Sequence, residues 1–329
     1  MSLQNSFRAL VVVENSIVSS AFLNSWLLCG NTISALWTRN QKLLASSTTQ
    51  KLVSIASSVP TLDNLVKKYK IPVIRNEPLK EMQKSDDLQA QLQADTLITL
   101  MTHQIVPEWI IDQFGNRAVN VHPALLPHYK GPQPSLSLLV DGQAERYGGI
   151  TVHRLDYGID TGAIIAQRKI PAVAGQDFNV WTYRIALAAA DLARNELQAY
   201  LKGQLDAVPQ VPGSGNYRKV VHREFYVDEN KTLDEVRHLL ALPAGTTIRA
   251  AITAPPGKRD LFPVLGKVTV ISAPTGAKPR LTPVSIEMDI RDHRIRVLRK
   301  RKIASLLTNP AIAVAKYRLG NFGRGTPQA

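Results

Sequence analysis

Asn120 and His122 lie two positions apart at the end of an apolar run, and Pro123, Pro127 and Gly131 follow closely. In an extended strand, residues i and i+2 share a face. An amide and a titratable imidazole therefore point the same way where a strand becomes a loop. Asp160 comes forty positions after Asn120, inside the glycine-bearing loop 156–162. These three types suit attack of an amine on a formyl or acyl carbon. The amide can stabilise a developing oxyanion, and the imidazole can donate to that oxygen or move a proton. The carboxylate can orient the ring, raise its pKa and help strip an incoming ammonium. Taken singly, each is an ordinary loop or cap residue; the combination and order carry the reading.

The elements that must position them are legible as alternation. Residues 7–13 (FRALVVV) are short, apolar and β-branched, and predict a buried strand. Further strands are predicted at 33–37, 71–74, 96–101 and 117–121, with helices at 16–28, 61–69, 88–94 and 106–114 between them. Thr61 is the expected N-cap of its helix. Strand–helix alternation without hairpin signals predicts an α/β fold, a Rossmann-like, mostly parallel sheet with helices on both faces. Ligands bind such sheets beyond the carboxyl ends of the strands.

The second half predicts strands at 150–155 and 163–170 flanking the Asp160 loop. One long helix is expected over 178–201, stopped by Gly203. Residues 208–216 (VPQVPGSGN) are rich in Pro and Gly and read as a linker. A short helix at 231–242, a strand at 266–272 and a hairpin over 284–298 follow. The expected division is a catalytic domain over 1–207, a linker over 208–224 and a small β-rich basic domain over 225–329.

The run N-V-H-P-A-L-L-P-H-Y-K-G (120–131), followed by G-G-I-T-V-H-R-L-D-Y-G-I-D-T-G-A-I-I-A-Q (148–167), resembles the folate-dependent formyltransferases. That family acts on methionyl-tRNA, glycinamide ribonucleotide or nucleotide-linked amino sugars. The resemblance covers roughly 7–205 and is dense across 96–170. It implies a catalytic trio of Asn120, His122 and Asp160. It implies 10-formyltetrahydrofolate as formyl donor, with no metal, lined by Ile105, Ala124, Leu125, Leu126, Pro127, Asp156, Tyr157, Gly158 and Ile159. Ala124 stands where the family often carries Ser, and His128 and Lys130 where tRNA-acting members commonly carry Arg. The basic loop of those members is represented only by the weak stretch 38–42. After 226 the resemblance is faint, at 248–250, 255–257 and 266–267. Formyltetrahydrofolate hydrolase shares the trio but carries a regulatory domain ahead of it, for which residues before 7 leave no room. No G-x-G-x-x-G follows the first strand, which argues against a nicotinamide dehydrogenase. A non-catalytic RNA-binding module on the same scaffold is a further alternative, against which the intact trio speaks.

His153 is expected to act structurally or behind the trio, and His103 and Gln104 to touch the donor or to form a helix entry. Cys29 is the single cysteine and is expected to be buried, which excludes an internal disulfide framework and multi-cysteine zinc sites. Tyr217-Arg218-Lys219 predicts a solvated basic patch or a contact to an acidic acceptor. The chain has 329 residues and a net charge of +14. Residues 291–329 hold ten Lys and Arg against one acid, Asp292, and so contribute +9 of it. Such a segment fits a phosphate-rich partner such as tRNA or a solvated tail. No apolar run is long enough to span a membrane, so a cytoplasmic protein without membrane contact is expected.

Overall fold

The computed structural model describes residues 6–38, 45–75, 79, 84, 87–173, 176–243, 246–254, 258–300 and 310–320. The expectations at 39–42 and 255–257, and the basic residues Arg301, Lys302 and Arg324, lie outside them. The chain runs β1 (Arg8–Val13), α1 (Ile17–Leu28), β2 (Thr32–Thr38), α2 (Thr48–Ser57), α3 (Leu62–Tyr69), β3 (Val73–Arg75), α4 (Leu88–Leu92), β4 (Thr96–Leu100), α5 (Glu108–Phe114) and β5 (Ala118–His122). It continues through α6 (Pro134–Val140), α7 (Ala144–Tyr147), β6 (Gly149–Arg154), β7 (Ile164–Lys169), α8 (Phe178–Arg194) and α9 (Glu196–Leu201). β8 (Tyr226–Val227), α10 (Leu233–Ala241), β9 (Arg249–Ala254), β10 (Lys258–Ser272), β11 (Arg280–Leu281), β12 (Ser285–Asp289), β13 (Arg294–Arg299) and α11 (Pro310–Gly320) complete it.

The first sheet has the order β3-β2-β1-β4-β5-β6-β7. Its first five strands are parallel, as the alternation predicts. β6 and β7 pair antiparallel, which the sequence reading did not anticipate. For β7 the reason is local: the chain returns from β6 through the 155–163 loop, too short for the crossover that parallel strands need. Both sheet faces are covered. Val11 and Val13 of β1 enter one core with α1, α3 and α8, while Leu10 and Val12 enter the other with α4 and α5. Trp26, Trp181 and Phe22 are fully buried in the larger core, each stabilising the fold by about 1.5–3 kcal/mol or more.

The expected single helix over 178–201 is two. Asn195 leaves helical geometry (φ −107°, ψ −84°), and its carbonyl accepts the Ala199 N–H that starts α9. Arg168 of β7 straddles the break, reaching Asp191 at 3.0 Å and Glu196 at 2.5 Å. Thr61 is the N-cap residue of α3, but its side chain makes no capping bond. Cys29 sits at the C-cap of α1 and is partly exposed rather than buried, because the helix ends there and turns through Gly30.

The second sheet, β11-β12-β13-β10-β9-β8, holds its own apolar core with α10. The predicted hairpin is β12 and β13. The basic C-terminal segment is not simply a solvated tail. β13 is paired within this sheet, and its Arg294 and Arg296 meet Asp289 at 2.8 Å and Glu287 at 2.6 Å. α11 packs on α2 and α8, burying Val314. Its Arg318 Nη1 donates to the Ala56 carbonyl at 2.5 Å and to Ser58 Oγ at 3.1 Å. Among the described residues no helix is long and apolar enough to cross a membrane.

Candidate active site

Strand alternation decides which side chains can meet. Val119 and Val121 of β5 point into the larger core, so Asn120 and His122 take the opposite face. On β4, Ile98 and Leu100 enter that same core, leaving Thr99 beside Asn120. On β6, Ile150 and Val152 do likewise, leaving Thr151 and His153 on the site face. Register then aligns Thr99, Asn120 and His153 in one row across three strands, with His122 opposite Thr151. The 156–162 loop starts next to the beginning of β5, where Leu155 N–H donates to the Ala118 carbonyl. It returns across the sheet face and sets Asp160 over the row. The site therefore lies on the face beside the carboxyl half of β5, not wholly beyond the strand end.

The row and Asp160 form one hydrogen-bonded cluster. Thr99 Oγ1 donates to Asn120 Oδ1 at 2.6 Å, which fixes the amide orientation. Asn120 Nδ2 donates to Asp160 Oδ1 at 3.1 Å and to His153 Nε2 at 3.0 Å. His153 Nδ1 donates to the Arg154 carbonyl at 2.7 Å, which leaves its Nε2 free to accept. His122 Nε2 donates to the Tyr129 carbonyl at 2.8 Å, so its free ring nitrogen is Nδ1, 3.5 Å from Asp160 Oδ2. Gly131 N–H completes the carboxylate's partners at 2.8 Å.

His122 is 4% exposed, and burial pushes its pKa below the ordinary imidazole value; His153 adds to this, against the opposing pull of Asp160. The ring is neutral at the outset. Burial pushes the Asp160 carboxyl up, but the facing His122 and His153 rings and the Gly131 N–H outweigh it, holding it well below the usual carboxylate range. Asp160 is ionised, in the left-handed conformation at φ 56°.

The expected donor-lining residues divide into two groups. Ile105, Tyr157 and Ile159 are exposed apolar side chains, 70%, 63% and 49% accessible. Tyr157 Oη donates to Asp112 Oδ1 at 2.5 Å, and Asp156 accepts the Thr161 hydroxyl. Ala124 and Leu126 are buried, so that stretch offers backbone rather than side chains. The 124–126 backbone is pinned by Thr151 Oγ1, which donates to the Ala124 carbonyl and accepts Leu126 N–H, and by Gln167 on the Leu126 carbonyl. Gly158 would place a Cβ 2.1 Å from Thr161 Oγ1. Leu125 packs against Gly149, and the Leu126–Pro127 bond is cis. His103 is exposed, whereas Gln104 is half-buried with Nε2 lacking a partner. Tyr129 and Gly131 lie within the 120–131 motif without a role assigned to them, whereas Thr99, Gln210 and Asn216 join the site without any motif to announce them. Among the described residues no His, Cys, Asp or Glu group is arranged to hold a metal.

A half-open cavity of about 170 Å³ lies apart from this cluster, where α1, α2, α3, α8 and α11 begin. It is lined by uncharged residues such as Asn15, Ser16, Thr49, Gln50 and Asn179.

Residues 37–193 match the family model described as formyl transferase. Over that span the chain is similar to the formyl transferase family. The match contains every member of the cluster from Thr99 to Asp160. The chain is 32% identical over 154 residues to a methionyl-tRNA formyltransferase of Listeria monocytogenes, covering 47% of this chain and 48% of that protein. A methionyl-tRNA formyltransferase of Staphylococcus epidermidis is 28% identical over 165 residues, covering 50% and 52%. The chain thus spans about half the length of the curated relatives it matches. Two solved structures share the fold at low identity. An N-formyltransferase of Helicobacter canadensis, in complex with folinic acid and dTDP-3-aminofucose, superimposes with TM-score 0.53 at 18% identity, covering 89% of this chain and 99% of that one. A 4-N formyltransferase of Francisella tularensis gives 0.54 at 16%, covering 79% and 98%.

Proposed function

We propose that this protein moves a formyl group from 10-formyltetrahydrofolate to a primary amine, with Asn120, His122 and Asp160 as catalytic residues and methionyl-tRNA as acceptor. The observation that carries the reading is the closed cluster in which an ionised carboxylate, a neutral imidazole and an oriented amide meet on one sheet face. The donor's chemistry fits the surroundings: Gln104 Nε2 is an orphaned buried donor suited to a ring nitrogen or oxygen. Ile105, Tyr157 and Ile159 offer exposed apolar surface, and the 124–127 and 156–159 backbones offer polar edges.

When bound, the folate supplies the activated one-carbon acyl group. Asp160 accepts a proton from the attacking ammonium, directly or through water. Its hold on the Asn120 Nδ2–H then weakens, and that N–H turns to the formyl oxygen as negative charge gathers there. His122 cannot exchange its Nε2 proton without losing Tyr129, so Nδ1 is where the ring takes the second proton released by the attacking amine and passes it to the leaving nitrogen. Each such contribution is worth roughly 10²–10³ in rate for an oxyanion donor.

Methionyl-tRNA is supported by the relatives matched over the catalytic half. A cytoplasmic setting follows from that acceptor. In this reading 1–207 holds the chemistry, 208–224 connects, and 225–329 faces the acceptor. One observation favours a nucleotide-linked amino sugar instead: Arg294, Arg296 and Arg318, counted in the basic segment, are engaged internally. The deciding experiment offers 10-formyltetrahydrofolate with charged initiator tRNA or with nucleotide-linked amino sugars, using wild type and His122→Ala. Formylation of neither class, or unchanged turnover in the variant, overturns the reading.

A further inference from the structure

The stretch 208–218, which the sequence marks as a linker running into the basic residues 217–219, is hydrogen-bonded to both halves of the cluster from behind. At its start Val208 and Ile164 exchange backbone hydrogen bonds, each at 2.8 Å, which brings Gln210 beneath the Asp160 loop. Gln210 Nε2 donates to the Asp160 carbonyl at 2.9 Å and the Gly162 carbonyl at 2.8 Å. Two carbonyls at one end of the amide leave no doubt which end carries the nitrogen. Asp160 holds φ 56°, a conformation that costs a non-glycine residue roughly 1–2 kcal/mol, so a bridge across its carbonyl and that of Gly162 holds the turn in place.

At its other end the stretch grips the His122 loop. Asn216 Oδ1 accepts Tyr129 N–H at 2.9 Å, and the Asn216 carbonyl accepts Lys130 N–H at 3.0 Å. Arg218 N–H donates to the Lys130 carbonyl at 2.8 Å, and its guanidinium pairs with Asp141 and Glu224. Gly215, at φ 72°, lies so close to the loop that a Cβ would fall 1.8 Å from the Pro127 carbonyl oxygen. The Tyr129–Lys130 peptide, whose carbonyl receives His122 Nε2–H, is held by the Asn216 carbonyl, and the peptide before it, at Tyr129 N–H, by Asn216 Oδ1. The His122–Asp160 separation of 3.5 Å is longer than a good hydrogen bond, so the pair does not align itself. What holds each partner from behind determines how they face.

We propose that Gln210 and Asn216 are positioning residues: Gln210 sets the Asp160 carboxylate, and the Asn216 side chain sets His122 through Tyr129, whose N–H it accepts and whose carbonyl receives the ring. This rests on the formyl-transfer reading, but its first test does not. Wild type and the near-isosteric variants Gln210→Met and Asn216→Leu are prepared as full chains. Imidazole 15N spectra report the tautomer and titration of His122. In wild type the ring carries its proton on Nε2. Asn216→Leu populates the Nδ1–H form and moves the His122 titration, and Asn216→Asp, which keeps the acceptor oxygen, restores the wild-type pattern. In the transfer assay both losses lower kcat by about ten- to a hundredfold, as expected for a misplacement near 1 Å, with the donor KM within about twofold. Folded variants with unchanged His122 spectra and unchanged kcat overturn the proposal. If Asn216→Leu does not fold, Gln210→Met decides alone through kcat and its pH profile. Wild type inert towards every amine, with the Asn216→Leu spectral change present, would overturn the transfer reading and leave the positioning standing.

Discussion

Asp160→Asn separates chemistry from folding unusually well at this site. Asparagine tolerates the left-handed backbone that φ 56° demands, so conformational strain is held constant. The carboxylate accepts from Gly131 N–H at 2.8 Å and from Asn120 Nδ2 at 3.1 Å. An amide has one acceptor end, so its NH₂ must face one of these donors. Turning Asn120 over to compensate would set its oxygen against His153 Nε2. One buried group is left unsatisfied either way, costing about 1–3 kcal/mol, partly offset by removing a buried charge. The catalytic loss is larger. With the proposed proton acceptor gone, kcat should fall by roughly 10²–10⁴, while donor affinity, which the proposed reading assigns to the 105 and 157–159 surface, should change little. The assay is steady-state transfer of radiolabelled formyl beside calorimetric titration of a folate analogue. A folded variant within about threefold of wild-type kcat would falsify the role given to Asp160. Linkage supplies a second check. The folded carboxyl lies below its unfolded value, so its stabilisation is present above about pH 3.9 and is lost as pH falls through the folded value. The stability gap between wild type and variant should therefore narrow on acidification through that range.

Thr99→Val removes the hydroxyl that orients Asn120 and should lower kcat about five- to thirtyfold, from a loss near 1–2 kcal/mol; Thr99→Ser should retain most activity. The kcat–pH profile should show an acid limb with its midpoint below 6.5, because His122 is held neutral by burial and premature protonation at Nδ1 blocks its role; His122→Asn should abolish that limb. Ile105→Asn should raise the donor KM several-fold with kcat nearly unchanged, as loss of uniform binding does. Val314→Asp buries an unpaired charge between α11 and its partners α2 and α8. Thermal unfolding should reveal a loss of at least about 3 kcal/mol or undocking of α11.

The sequence by itself determined that Asn120 and His122 share a strand face, and the strand–helix order, because both are written in local terms. Period-two alternation puts Asn120 and His122 on one face, apolar β-branched runs make buried strands, and the motif around them is dense enough to carry a family. It did not reveal that β6 runs antiparallel to β5, because the 123–148 connection between them is long enough for either direction. Nor did it show the break at Asn195, where Arg168, from another element, bridges Asp191 and Glu196. Tertiary structure alone decided the protonation and alignment of the site. His122 is neutral because the fold buries it, Nδ1 is its free ring nitrogen because the Tyr129 carbonyl claims Nε2, and Asn120 is oriented by Thr99 from a neighbouring strand. It also turned a Pro- and Gly-rich stretch into the backing of the cluster, and part of a basic tail into a paired strand and a docked helix. Hydrogen bonds spanning from 29 to 50 residues, such as Asp160 to Gly131 and Gln210 to Asp160, have no local signature; only the folded chain brings their ends together.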